Sequence, residues 1–136
     1  MAKKPCLGIV VSKFNEEITS KMLIEAKKQA KRKGAKVMAV IQVPGAYEIP
    51  FAVQKLLKRK NIDSVSAIGA VIKGQTKHDE VIMNAICPKL LSLSLEYEKP
   101  VGLGISGPGI NYTQAKARAK DYACRSVNAA VLMGRL

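Results

Sequence analysis

Residues Ala70-Val-Ile-Lys-Gly-Gln-Thr-Lys-His-Asp-Glu80 set His78, the single histidine of the chain, between an apolar run and a helical one. An imidazole titrates near neutrality and can pass protons to and from a bound substrate. The start of a helix leaves backbone N–H groups free to meet an anion. Behind the permissive Gly74, the N–H groups of Gln75 and Thr76 are therefore candidates to hold an oxyanion. Proton transfer beside a bound anion is the chemistry this spacing could support. A surface histidine in an ordinary loop between strand and helix satisfies the same pattern.

Three further segments carry side chains of similar promise. In Ser12-Lys13-Phe14-Asn15, Phe14 follows an apolar run and offers a flat face to a heteroaromatic ligand. It could equally be a hydrophobic staple for the next helix. In Val43-Pro-Gly-Ala-Tyr-Glu-Ile-Pro50, small Ala46 lets a ligand approach the backbone, and Glu48 can accept hydrogen bonds from hydroxyl or amide donors. A carboxylate at a helix start is also favourable by itself, by about 0.3–1 kcal/mol. Arg118 and Arg125 lie on the last helical segment; a guanidinium suits bidentate phosphate binding, although an arginine on a helix is more often a surface charge.

Several functions are excluded by what is missing. One histidine and three scattered cysteines, Cys6, Cys87 and Cys124, make neither a zinc cluster nor a CxxC pair. Two of the cysteines read as buried small hydrophobes, as suits a reducing cytosol. GxxxxGK[ST] is absent, and Gly102-Leu-Gly104-Ile-Ser-Gly107 spells GxGxxG inside a strand, the wrong context for a dinucleotide fingerprint. Lys and Arg number 23 against 10 acidic residues, a net +13 that attracts anions. Lys21, Lys27, Lys28, Lys31, Arg32 and Lys33 read as the solvated face of one helix, and no nucleic-acid-binding motif accompanies them. Aromatics make up 4%, too few for a base-stacking platform. Lys3 and Lys4 precede an apolar run too short for a signal peptide, and nothing approaches a membrane span. The expectation is a cytoplasmic protein with no membrane association.

The elements that must position these groups alternate. Strands are expected over Cys6–Ser12, Lys36–Val43, Ser64–Ile72 and Pro100–Ser106, helices over Glu16–Lys33, Tyr47–Lys58, Asp79–Tyr97 and Thr113–Met133. Pro88 should kink or divide the third helix, because its ring blocks an i→i−4 bond. The βαβαβαβα order implies one α/β domain spanning 1–136, a three-layer αβα sandwich around a four-stranded parallel sheet. So narrow a sheet has exposed edges, which association between subunits would cover.

Taken together and in order, these loops resemble lumazine synthase. The resemblance rests on Lys13-Phe14-Asn15, Val43–Pro50, Gly69-Ala-Val-Ile-Lys-Gly-Gln-Thr-Lys-His78 and Gln114-Ala-Lys-Ala-Arg118, and it covers essentially the whole chain. Leu103-Gly-Ile-Ser-Gly-Pro-Gly109 looks most like the archaeal branch. The resemblance implies a flavodoxin-like fold and a transferase of riboflavin biosynthesis without cofactor or metal. It would condense 5-amino-6-ribitylaminouracil with 3,4-dihydroxy-2-butanone 4-phosphate to 6,7-dimethyl-8-ribityllumazine. By the same resemblance Phe14 stacks on the pyrimidine, and Ala46, Tyr47 and Glu48 contact its ring and ribityl chain. Ala70, Val71 and Ile72 line the uracil site. Gln75, Thr76 and Arg118 hold the phosphate, His78 transfers protons, and Arg125 stands where a basic residue lies near the substrates. Leu103 is expected to complete the pocket of a neighbouring subunit.

Tyr47, Lys73 and Leu103 depart from the commoner bacterial residues (Phe, Arg and Phe) while keeping size or charge. The resemblance further implies a homopentamer, and the short segment between Arg118 and Arg125 favours an icosahedral shell of pentamers. Two other readings share the fold: an archaeal-type riboflavin synthase, and a non-catalytic shell or polyanion-binding protein.

Overall fold

The computed structural model describes residues 4–136; Lys3 of the basic N-terminal pair lies outside them. Four strands, β1 (Cys6–Ser12), β2 (Lys36–Val43), β3 (Ser64–Ala70) and β4 (Val101–Ser106), form one parallel sheet in the order β2-β1-β3-β4. The helices are α1 (Glu16–Arg32), α2 (Ile49–Leu57), α3 (His78–Tyr97), α4 (Tyr112–Ala117) and α5 (Ala119–Met133). This is the expected flavodoxin-like α/β arrangement. The chain leaves β1 for β2 on one side, then crosses to β3 and β4 on the other. The reversal opens a crevice at the carboxyl ends of β1 and β3.

Side-chain alternation sorts the core into two layers. Leu7, Ile9 and Val11 of β1 pack with Ile18, Met22 and Ala26 of α1 and with Ala123, Val127 and Ala130 of α5. Val10, from the same strand, faces the opposite way among Val53 and Leu56 of α2 and Ile86 and Leu90 of α3. Because both faces of β3 are covered, all seven of its residues are buried. The outer β2 is only partly buried along most of its length, and Leu103 of the other edge strand is exposed.

The glycines of β4 have a structural use. A Cβ on Gly102 would lie 2.0 Å from the Ser126 carbonyl oxygen, and one on Gly104 would lie 2.7 Å from Ser126 Cβ. Without them α5 could not approach the sheet. The contact is sealed by the Ser126 hydroxyl, which donates to the Gly102 carbonyl at 2.8 Å and lies 2.6 Å from the Ser66 hydroxyl. The first two glycines of the GxGxxG spelling therefore serve helix-to-sheet packing, not a phosphate loop.

Four expectations need correction. Strand β3 ends at Ala70, not Ile72, because its neighbour turns away at Gly107; only single bonds, Val71 N–H to Ser106 O (3.2 Å) and Lys73 N–H to Ile110 O (2.8 Å), continue the contact. Helix α3 runs undivided through Pro88. The carbonyl that Pro88 cannot bond belongs to Asn84, and both residues are exposed, so water can satisfy it. The last helix is two: Arg118, at φ −101° and ψ 7°, separates α4 from α5. Finally, all three cysteines are half-buried, not core residues. Partial burial pushes the Cys87 thiol above its ordinary value, since a thiolate there would be poorly solvated.

Candidate active site

Three loops meet at the crevice between β1 and β3 and enclose a cleft of about 640 Å³. From the loop after β1 come Phe14 and Asn15, and from the loop after β2 come Gly45, Ala46 and Tyr47. The end of β3 and the loop beyond it supply Ala70, Val71 and Ile72, then Lys73, Gly74 and Thr76. Helix α3 closes one side with His78, Asp79 and Ile82. The volume suits a bound small molecule, and the lining combines apolar walls with few polar groups.

Local conformation explains how these loops hold their shape. Asn15 sits at φ 63°, ψ 51°, a left-handed conformation that asparagine tolerates better than most residues. Its side-chain amide donates 2.9 Å to the Ala70 carbonyl, tying the first loop to the end of β3. Lys13 and Phe14 donate backbone bonds to Val43 (2.8 Å) and Pro44 (3.0 Å), tying it to the second. The result strips Phe14 of any staple role: its ring is 70% exposed and lines the cleft. Tyr47, in a 3₁₀ turn over Ala46–Glu48, is 66% exposed on the same cleft. Two exposed aromatic rings on one concave wall make a surface for a planar ligand.

His78 is the first residue of α3 and is exposed to the cleft. Its neighbour Asp79 is buried, and its carboxylate accepts 2.9 Å from the Gly109 N–H, pinning the helix start to the turn after β4. In that turn Gly107 has φ 102°, and a Cβ there would lie 2.7 Å from the Val71 carbonyl. Glycine is needed on both counts.

The structure thus gathers Phe14, Ala46, Tyr47, Ala70, Val71, Ile72, Thr76 and His78 in one cleft. Glu48 follows Tyr47 in the 3₁₀ turn but does not line the cavity, nor does Gln75 of the third loop. Arg118 is exposed at the α4–α5 junction, outside the lining. Arg125 is exposed one helix segment further on, 3.7 Å from Asp121. Leu103 lines a separate groove of about 660 Å³ between α3 and β4, with Cys87, Leu91 and Pro108. Beyond the expected residues, Asn15, Gly45, Lys73, Gly74, Asp79 and Ile82 also line the cleft; Ile82 lies one helical turn after His78, a spacing by which the sequence locates it.

Helix α4 has its own anchorage. A capping box between Asn111 and Gln114 starts it. The Tyr112 hydroxyl donates to the Glu17 carboxylate of α1, and Lys116 lies 3.5 Å from the same group. The Tyr112 hydroxyl and then the Lys116 ammonium hold Glu17 below the usual carboxylate range, while Glu17 raises Tyr112 above its ordinary value. Among the described residues no three or more His, Cys, Asp or Glu side chains gather where a metal ion could sit, and no helix is long and apolar enough to cross a membrane.

Comparison with known proteins gives this cleft its context. The family model for 6,7-dimethyl-8-ribityllumazine synthase matches residues 4–136. Among similar proteins, the 6,7-dimethyl-8-ribityllumazine synthase of Metallosphaera sedula is 54% identical over 129 residues, covering 95% of this chain and 85% of its own. That of Staphylothermus marinus is 53% identical over 127 residues, covering 93% and 85%. That of Archaeoglobus fulgidus is 50% identical over 129 residues, covering 95% and 90%. Identity of this extent, across a matched region that contains every cleft-lining loop, shows that the chain belongs to the 6,7-dimethyl-8-ribityllumazine synthase family.

Proposed function

We propose that this protein condenses 5-amino-6-ribitylaminouracil with 3,4-dihydroxy-2-butanone 4-phosphate, releasing 6,7-dimethyl-8-ribityllumazine, phosphate and water in riboflavin biosynthesis. The observation that carries the reading is the single cleft in which the exposed Phe14 ring and His78 face a common space at the β1/β3 reversal. The pyrimidine lies against Phe14, with the backbone of Ala70–Ile72 along its edge. Ala46, Tyr47 and Glu48 meet the ring and ribityl chain. The phosphate of the four-carbon substrate is held beyond Gly74 by Gln75, Thr76 and Arg118, with Arg125 as a more distant cation.

The pyrimidine amine attacks the ketone and loses water to give an imine; phosphate leaves, and the second nitrogen closes the ring with loss of a further water. Each step relocates a proton, and His78 stands where it can accept or return one. Holding two substrates in register removes much of the entropic barrier, so the walls of the cleft contribute alongside the imidazole.

Leu103 supports a further part of the reading. It is exposed on an edge strand and outside its own subunit's cleft, as befits a residue that completes a neighbour's pocket. A homopentamer, assembling further into an icosahedral shell in the cytoplasm, follows from the same reading. The deciding experiment mixes the purified protein with both precursors and follows the absorbance of the lumazine. Its absence with active precursors rejects the proposal.

A further inference from the structure

The fold concentrates positive charge at the end of the sheet opposite the cleft. Strands and the long helices run antiparallel to each other, so the C-termini of α1, α2, α3 and α5 arrive at the amino edge of the strands. Helix α1 ends in Lys31-Arg32-Lys33, and Lys36 opens β2. Lys58-Arg59-Lys60 follow α2, Lys99 precedes β4, and Arg135 follows α5.

Specific contacts draw these segments onto one face. The Lys36 N–H donates 2.8 Å to the Pro5 carbonyl, next to Lys4. The Arg135 guanidinium donates 3.2 Å to the Lys33 carbonyl. The Lys99 ammonium donates to the carbonyls of Leu57 (2.9 Å) and Arg59 (2.8 Å), joining the α2 and β4 segments. Asp63 accepts 2.7 Å from the Cys6 N–H, fixing the intervening loop beneath β1.

Cations at helix C-termini complement the helix dipole, which accounts for the ends of α1 and α2. It does not account for Lys36 at a strand start or for Lys60 in a loop. Nor are the charges neutralised locally. Among the described residues the ion pairs are Lys28–Glu25, Lys116–Glu17 and Arg125–Asp121, and none involves this face. The acidic residues of this end are Asp63, engaged by Cys6, together with Glu96 and Glu98.

We infer that the amino edge of the sheet is a binding surface for the phosphate backbone of nucleic acid, read without regard to sequence. The sheet is roughly 14 Å wide at about 4.8 Å per strand spacing, and a helix layer of about 10 Å on either side widens the face further. That is broad enough to meet several phosphates of a duplex, which carries one charge per about 1.7 Å of axis. The cations come from separate elements on long flexible stems. This suits backbone contacts, whereas base reading requires an element inserted in a groove.

The test measures binding of the full-length protein to a random-sequence DNA duplex over a salt series. Contact with about six phosphates gives a log–log salt slope near −5 and about a thousandfold loss of affinity between about 50 and 200 mM salt. The variant Lys58→Glu/Arg59→Glu/Lys60→Glu should flatten the slope by about three. The variant Lys21→Glu/Lys27→Glu/Lys120→Glu, with the same change in net charge, should keep the parent's slope.

Equal weakening by both variants, or binding only to vesicles of anionic phospholipid, overturns the inference. So does the absence of salt-dependent binding by the parent. Should the edge variant fail to fold, lysine acetylation of the native protein reads the same surface: bound duplex must protect Lys36, Lys58 and Lys60 and leave Lys21 and Lys27 reactive. Protection of Lys21 and Lys27 instead overturns it.

Discussion

The buried carboxylate of Asp79 accepts a 2.9 Å hydrogen bond from the backbone of Gly109, so the residue beside His78 is fastened to the turn beyond the neighbouring strand. The orientation of the proposed proton carrier thus depends on a loop thirty positions away. Replacing Asp79 by alanine removes a charge-assisted bond and should cost about 1.5–3 kcal/mol of stability. Urea unfolding measures that loss. The rate of lumazine formation should fall with it, and an unchanged rate would show that the loop does not position His78.

Asn15 combines a left-handed backbone with a tether to Ala70. Asn15→Ala should lose both, costing about 1–2 kcal/mol for the backbone alone. Asn15→Gly keeps the backbone comfortable and loses only the side-chain bond. If the tether shapes the wall beside Phe14, both variants raise KM for the pyrimidine, while only the alanine variant unfolds markedly earlier.

Gly102→Ala drives a methyl group to 2.0 Å from the Ser126 carbonyl oxygen. That oxygen belongs to the helix backbone, so no rotamer change relieves the clash. Overpacking of a core costs about 1–3 kcal/mol, and a backbone obstruction belongs at the upper end. A shift of the urea midpoint in the Gly102→Ala protein checks this, and adding Ser126→Ala should not restore it.

The proposed roles separate kinetically. His78→Ala should lower kcat by about a hundredfold, the lower end for general acid–base catalysis, because the walls still align both substrates. Arg118→Ala should raise KM for the butanone phosphate more than for the pyrimidine. Equal losses for both substrates would make Arg118 a structural residue of the α4–α5 junction.

The Glu17 tether predicts a pH dependence. Because the folded protein holds this carboxyl below its ordinary value, its contribution is present above that value and vanishes as pH falls through the lowered one. Tyr112 is raised when folded, so its contribution holds below the ordinary phenol value and is lost above the raised one. Tyr112→Phe should leave a shallower loss of stability at both extremes than the parent shows, with little change near neutrality. Thermal unfolding across the pH range resolves it.

Much of the fold is written in short-range patterns. Alternating apolar runs and helical spacings locate every strand and most helix limits, and they imply a parallel sheet covered on both faces. The loops of the cleft are legible too, because glycine and proline punctuate the ends of the apolar runs; of these glycines, Gly107 is the one whose backbone conformation and close contact with Val71 require it. The break at Arg118 is not legible. Ala-Lys-Ala-Arg-Ala-Lys is helical by every local preference, and the interruption at Arg118 appears only in the folded chain. The role of Gly102 is hidden for the same reason, since its partner is the backbone of a helix far along the chain.

By itself, then, the sequence determined which residues could do chemistry and the order of elements that carries them, because propensity and periodicity act over a few residues. Tertiary structure decided which of them meet. It placed Phe14 in the cleft and away from a core, left Arg118 and Leu103 outside that cleft, and collected scattered lysines on one edge. Those outcomes depend on packing between distant segments, and no local pattern encodes the distance between two loops.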